Sequence, residues 1–450
     1  MNLSAFFHKP ISAIPIGLFR ILFGFMMFAG GIRFVSMGWL DEQLIHPVFH
    51  FHYYGFEWIK PLYAQYMYIM YGLMVASSLT LAIGLFTRIS ALLFFLLFTY
   101  FELIDLTYYL NHYYFISLIA FLLCILPVGR ILSVDVLLHP RSAIAFVPAW
   151  VVYLLRFQVG IVYVYAGIAK CTPHWLFEAM PLKIWLPAQA HWPVIGEWLA
   201  HPLTPWLFSW TGMLFDTFIP FVLMSRFWVF GYILVILFHS LTGLFFPIGM
   251  FPLIMILMVW IFFPLSFLEK CSSLLSRLIP FPSGPERQWI PTRFSATIIP
   301  SFLAVYILFQ LLFPFRYVLY SGDRFWTEQG YRFGWRVMLM EKSGQATFYI
   351  RDSSLGREWE VVNRDFLNAH QEKQMSMQPD MILQFAHFLA DTFSRRGISS
   401  PSVRVEAYVT LNGNPSQLLI DPSTDLTTIQ DGWVEKKWIL PSPYEKKEMR

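Results

Sequence analysis

The stretch YLLRFQVGIVYVYAGIAK ends an apolar run on Lys170, and steps of seven residues place Arg156, Tyr163 and Lys170 on one face of a helix. An amine held in an apolar pocket loses proton affinity because desolvation disfavours its charged form, and a neutral amine is a usable general base. The competing reading of Lys170 is a side chain that snorkels to the membrane surface. A second cluster lies in FELIDLTYYLNHYYF, residues 101 to 115. There Asp105, Asn111 and His112 either form a hydrogen-bond network facing a substrate or satisfy loop backbone groups. His239, in ILFHSLTGLFFPIGMFP, is either a site residue or a packed histidine bonded to a carbonyl. Arg156 and Asp216 read most simply as a structural pair between helices. His46, His50 and His52 lack carboxylate or thiolate companions, so no metal centre is expected there.

Groups of this kind need a scaffold that keeps them dry, and the composition supplies one. The 450 residues are 57% apolar and only 13% charged, which marks an integral membrane protein. Residues 316 to 450 carry 17 of the 32 Lys and Arg and 17 of the 28 Asp and Glu. A membrane domain over 1–315 followed by an extramembrane domain over 316–450 is the expected organisation. The net charge of +4 is small and its basic residues sit in short loops, so nucleic acid is not an expected partner. Cys124, Cys171 and Cys271 show no metal or thiol-redox spacing. The first apolar stretch reads as a retained helix, not a signal peptide.

A bilayer core of about 30 Å needs roughly 20 apolar residues per helix. Nine candidates lie near 12–31, 62–86, 88–104, 111–129, 146–170, 206–224, 227–246, 249–267 and 295–315. With the N-terminus inside, nine loop Lys and Arg fall on the inner side, against Arg33, Lys60, Lys170 and Lys183 outside. This bias predicts a cytoplasmic N-terminus and an outer C-terminal domain, periplasmic or luminal. The only glycosylation-type sequon, Asn2-Leu3-Ser4, falls on the inner side, in keeping with a bacterial inner-membrane protein. Two outer loops, 40–60 and 171–205, are rich in Trp, Tyr, His and Pro and should form short interfacial helices roofing a cavity. In the tail, alternation predicts strands at 345–351, 357–363 and 402–411, and an amphipathic helix over 379–396.

Several motifs in one order resemble the vitamin K-dependent gamma-glutamyl carboxylase and its bacterial homologues, which share an HTTM membrane domain. They are FRILFG, IDLTYYLNHYYF, RFQVGIVYVYAGIAKCTPHW, FHSLTGLFFPIGMFP, PFRYVLYSGDRFWTEQGYRFGWRVMLM and VEAYVTLNGNPSQLLIDPSTDL. The resemblance implies nine spans with a luminal C-terminal domain, and a membrane enzyme that oxygenates reduced vitamin K, or another naphthoquinol, to its epoxide. It further implies O₂ and CO₂ as co-substrates, no metal, and a glutamate-containing peptide or protein as partner. The family lysine that deprotonates the naphthoquinol falls on Lys170, and the family's asparagine and histidine fall on Asn111 and His112. Oxygenation of the quinol anion then yields an alkoxide base that removes the γ-proton of Glu, and the carbanion captures CO₂. Asp105, Tyr109, Tyr163, His239, Trp335 and Met338 are the implied quinone- or substrate-binding residues. The chain departs from vertebrate members at Ala169-Lys170, where they have two lysines, and at Met340, where they have a histidine. It also lacks evident partners for their disulfide. Two other functions fit the sequence: quinol epoxidation without carboxylation, and a non-enzymatic membrane binding or transport protein, although no internal repeat supports a transporter.

Overall fold

The computed structural model describes residues 8–246, 248–281, 287–290, 293–352 and 354–444, with the side chains of 293–297 left aside. The Asn2 sequon lies outside the described residues. Apolar runs that cannot satisfy their backbone in lipid except as helices give α1 (Ile14–Ser36), α2 (Ala64–Ile83), α3 (Thr87–Ile104), α4 (Asn111–Ile125), α5 (Ala149–Lys170), α6 (Thr204–Met224), α7 (Trp228–Phe245), α8 (Phe251–Met258), α9 (Leu265–Leu278) and α10 (Arg293–Leu312). Seven helices among the described residues are long and apolar enough to cross a membrane.

Two of the nine expected spans differ in form. The 111–129 candidate is a helix of 15 residues. The 249–267 candidate is helical over Phe251–Phe262, then turns by 108° into α9. Pro264 lacks the N–H that would continue the ladder and biases Phe263 to extended backbone; Phe263 has φ −63° and ψ 149°. Although short, this segment still reaches the far end of the bundle, because Phe263 packs on Trp228 and Tyr232 at the start of α7.

The two ends of the bundle are recognisable from their tethers. A two-stranded ribbon pairs β1 (Pro10–Ser12) with β2 (Phe146–Pro148), and Phe146 also bridges Gln288. The starts of α1, α5 and α10 therefore lie at one end, and these three helices run parallel. At that end the buried Arg20 donates to the carbonyls of Val128 (3.1 Å) and Leu132 (2.5 Å). Its charge is spent on the turn after α4, whose carbonyls would otherwise lack donors.

At the opposite end stands the α+β domain. Its antiparallel sheet has the order β4-β3-β5-β6, with β3 (Lys342–Asp352), β4 (Arg357–Glu360), β5 (Ser402–Leu411) and β6 (Gln417–Leu418). Alternation along β3 and β5 buries Phe348, Ile350, Val403, Val405 and Val409. They face α11 (Ala369–Met375) and α12 (Pro379–Arg395), with Phe348 edge-on to Phe385 at 5.0 Å. The expected strands and amphipathic helix are thus present. The 171–205 loop forms short helices at Pro173–Leu176, Leu182–Trp185 and Gly196–Ala200, whereas the 40–60 loop makes one π turn at Asp41–Ile45 and is irregular beyond it.

Candidate active site

Lys170 does not snorkel. It is 6% exposed, and its Nζ donates to Asp216 Oδ2 at 2.7 Å. The expected Arg156–Asp216 pair is corrected here: Arg156 Nε donates instead to the Ile261 carbonyl at 2.9 Å. Fourteen residues of helix separate Arg156 from Lys170, roughly 21 Å, so one carboxylate cannot serve both. Gly167 decides the level at which Asp216 meets α5. A Cβ there would sit 2.2 Å from Thr217 Oγ1 and 2.7 Å from Thr217 N. Only a glycine lets α6 come this close, and the contact carries Asp216 to Lys170. Gly167→Val should push α6 away, part Asp216 from Lys170 and lower stability by about 1–3 kcal/mol, read as a fall in melting temperature. Wild-type melting in the variant would show that Gly167 does not set the approach of α6.

Nearly two turns below Lys170, Tyr163 Oη lies 2.8 Å from His239 Nε2, both buried. With the hydroxyl donating to Nε2, the ring proton sits on Nδ1, which is buried and has no partner among the described residues. The Phe251 ring lies 5.7 Å from both His239 and His112. His112 is itself 7% exposed and makes no hydrogen bond among the described residues. Phe215 stacks on Phe238 at 4.0 Å and meets Tyr163 at 6.1 Å. The structure therefore gathers an amine, a carboxylate, a phenol and two imidazoles inside an aromatic shell.

Two family models cover most of the chain. One, described as HTTM domain, matches residues 8–267, and the other, described as Vitamin K-dependent gamma-carboxylase, lumenal domain, matches residues 295–445. The chain belongs to the vitamin K-dependent gamma-carboxylase family. It is an integral membrane protein with a lumenal-type C-terminal domain, and no solved structure matches it.

In this carboxylase-family chain the other predicted residues line the seam between the two domains. Asp105, 2% exposed, accepts from Thr107 N (2.9 Å), Thr107 Oγ1 (2.6 Å) and Gln371 Nε2 (2.7 Å). Burial pushes its carboxyl up to about 6, and these bonds hold it from rising further. Gln371 also donates to Phe49 O and closes the capping box of α11 with Asn368, so Asp105 reads as a clamp on the lumenal-type domain. Asn111 Nδ2 donates to Arg336 O at 2.8 Å, and its Oδ1 accepts from Tyr109. The Tyr109 hydroxyl in turn accepts from Phe333 N at 2.7 Å. These bonds hold a strained segment: Phe333, Trp335 and Met338 have φ of +58°, +56° and +55°. Such backbone costs of order 1–3 kcal/mol per residue and persists only where the surroundings impose it. Trp335 is fully buried and stacks on Tyr114 at 5.0 Å, while Met338 is half-buried. Neither is brought beside Lys170 by any contact among the described residues.

His52 is drawn into the seam, with Gln384 pairing to both its N–H and its carbonyl at 2.9 Å, and His50 is buried. Among the described residues no three His, Cys, Asp or Glu side chains converge as metal ligands, and the three cysteines are unpaired. Sequence reasoning missed Gly167, Phe251 and Gln371. Only Gly167 carried a readable signal, a small residue facing inward three positions before the lysine.

Proposed function

We propose that this protein oxygenates a reduced naphthoquinone to its epoxide and uses that reaction to drive γ-carboxylation of glutamate in a peptide or protein. The observation that carries the proposal is the buried Lys170–Asp216 pair, set in the same dry aromatic shell as the partnerless Nδ1 of His239. The residues suit a flat, apolar, oxygen-bearing ring: aromatic walls from Phe215, Phe238 and Phe251, and polar groups confined to a few positions. Such a quinol, deprotonated in the presence of O₂, supplies the strong base that no side chain can provide.

Lys170 is the proton acceptor. Asp216 Oδ2, 2.7 Å from Nζ, holds the amine in place before the transfer and is positioned to stabilise the ammonium that the transfer forms. His239 Nδ1–H and the His112 ring are donors placed to bind a quinol oxygen, and fixed donors of this kind stabilise developing negative charge. Tyr163 fixes the His239 tautomer. The helix bundle excludes water that would quench a strong base. The loop charge bias supports an N-terminus in the cytoplasm and a C-terminal domain on the outer side, which in a bacterial inner membrane is the periplasm.

Epoxidation without carboxylation is a second reading, favoured by one observation: Met340, where vertebrate members have a histidine, packs into the outer-domain core and offers no ionisable group. The proposal predicts oxygen uptake and epoxide formation when purified protein receives a reduced naphthoquinone. If an oxygen electrode and product chromatography detect neither with any naphthoquinol, the enzymatic readings fail together.

A further inference from the structure

Beside the last turns of α5 lies a cavity of about 190 Å³. Tyr165 and Ile168 line it from the face of the helix opposite Lys170 by the 3.6-residue period, with Ala169 at the side. Its far wall carries Arg324, Gly334 and Arg336. Arg336 is 5% exposed, yet its guanidinium makes only one hydrogen bond among the described residues, a long one of 3.4 Å to Gly330 O. Arg336 and Arg324 both stack on Tyr317, at 4.1 and 4.5 Å. Gly334 makes room for this arrangement, since a Cβ there would meet Arg336 Nη1 at 2.4 Å.

No carboxylate among the described residues pairs with Arg324 or Arg336. The acidic groups near them in the sequence are committed elsewhere: Asp323 accepts from Phe325 N, Glu328 pairs with Lys342, and Glu341 accepts from Trp185 Nε1. Burial, and next the charge of Arg324, hold the Arg336 guanidinium down to about 10. Unpaired buried charge is expensive, and two guanidinium forks on one cavity wall match a planar two-oxygen anion better than a point charge would.

We propose that this cavity is a binding site for a carboxylate-type oxyanion, with Arg336 and Arg324 as its donors. Two sources of that chemistry are compatible with the proposed function, the side chain of a glutamyl peptide and bicarbonate, the hydrated form of the CO₂ co-substrate, and the proposal rests on that function only for the choice between them. Anchoring through Asn111, which holds the Arg336 carbonyl, ties the cavity to the helix that carries His112.

The test is binding to the full-length protein in detergent without quinone. The probes are a Glu-containing tripeptide, its Gln counterpart, ¹³C-bicarbonate and inorganic phosphate. The expected result is saturable binding of the Glu peptide or of bicarbonate, weakened roughly ten- to hundred-fold in Arg336→Gln and in Arg324→Gln. Melting curves show whether each variant folds; if Arg336→Gln does not, the half-exposed Arg324→Gln decides. Whichever of peptide and bicarbonate loses affinity identifies the source. Equal binding of Glu and Gln peptides with no Arg-dependent bicarbonate binding, affinities unchanged in the variants, or tighter binding of phosphate than of either carboxylate probe would overturn the proposal. Arg-dependent binding in a protein that forms no epoxide would sustain this site and discard the proposed function.

Discussion

Lys170→Ala should cut epoxide formation by roughly 10²- to 10⁴-fold, the usual worth of a positioned general base, whereas Lys183→Ala should leave it near wild type. Lys183 stacks on Trp206 at 4.0 Å in the outer loop and touches none of the gathered groups. Lys170→Ala alone is ambiguous, because it strands the buried Asp216. Breaking a buried pair from one side commonly costs about 3–5 kcal/mol, so lost activity could reflect lost fold. The pair of variants that resolves this is Lys170→Met with and without Asp216→Leu. The double variant removes both charges and should recover most of the melting temperature while staying inactive. Recovery of epoxidation together with stability would mean that Lys170 serves the fold and not the chemistry.

The second large effect is expected at His112. Its ring contacts Phe251 and Tyr113 and spends no hydrogen bond on the protein. His112→Ala should therefore cost the fold only about 0.5–1.5 kcal/mol of ring packing, yet slow oxygenation by roughly 10² to 10³, the price of losing one donor to a developing oxyanion. A structural histidine would show the reverse, with poor yield, a low melting temperature and normal specific activity in the surviving protein. Measuring both quantities on one preparation separates the two roles.

The positions most open to sequence reading were those fixed by local pattern. Apolar runs near 20 residues located the spans, and period-two alternation located β3 and β5, because both signals arise from the chain's own repeat against one environment. The bend after Phe262 had a visible cause in Pro264, but the sequence alone does not say whether a proline kinks a span or ends it. What stayed hidden was partner choice. Arg156 and Lys170 share a face, and only the close approach at Gly167 selects Lys170 for Asp216. Asn111 read either as part of a substrate-facing network or as a partner for loop backbone, and its amide is used on the Arg336 carbonyl, 225 residues away. Asp105 meets Gln371 across 266 residues. No periodicity within either segment reports such contacts, since each is set by how the lumenal-type domain docks on the bundle.

One dry site, built around Lys170, is proposed to link oxygenation of a quinol to carbon capture by glutamate. Its most direct test is purified protein incubated with a reduced naphthoquinone, O₂, ¹⁴C-bicarbonate and a Glu-containing peptide, with epoxide and acid-stable label counted in the same tube. The account predicts both products from the wild-type protein and neither from Lys170→Met with Asp216→Leu. Label fixed without epoxide, or both products undiminished in that double variant, would contradict it.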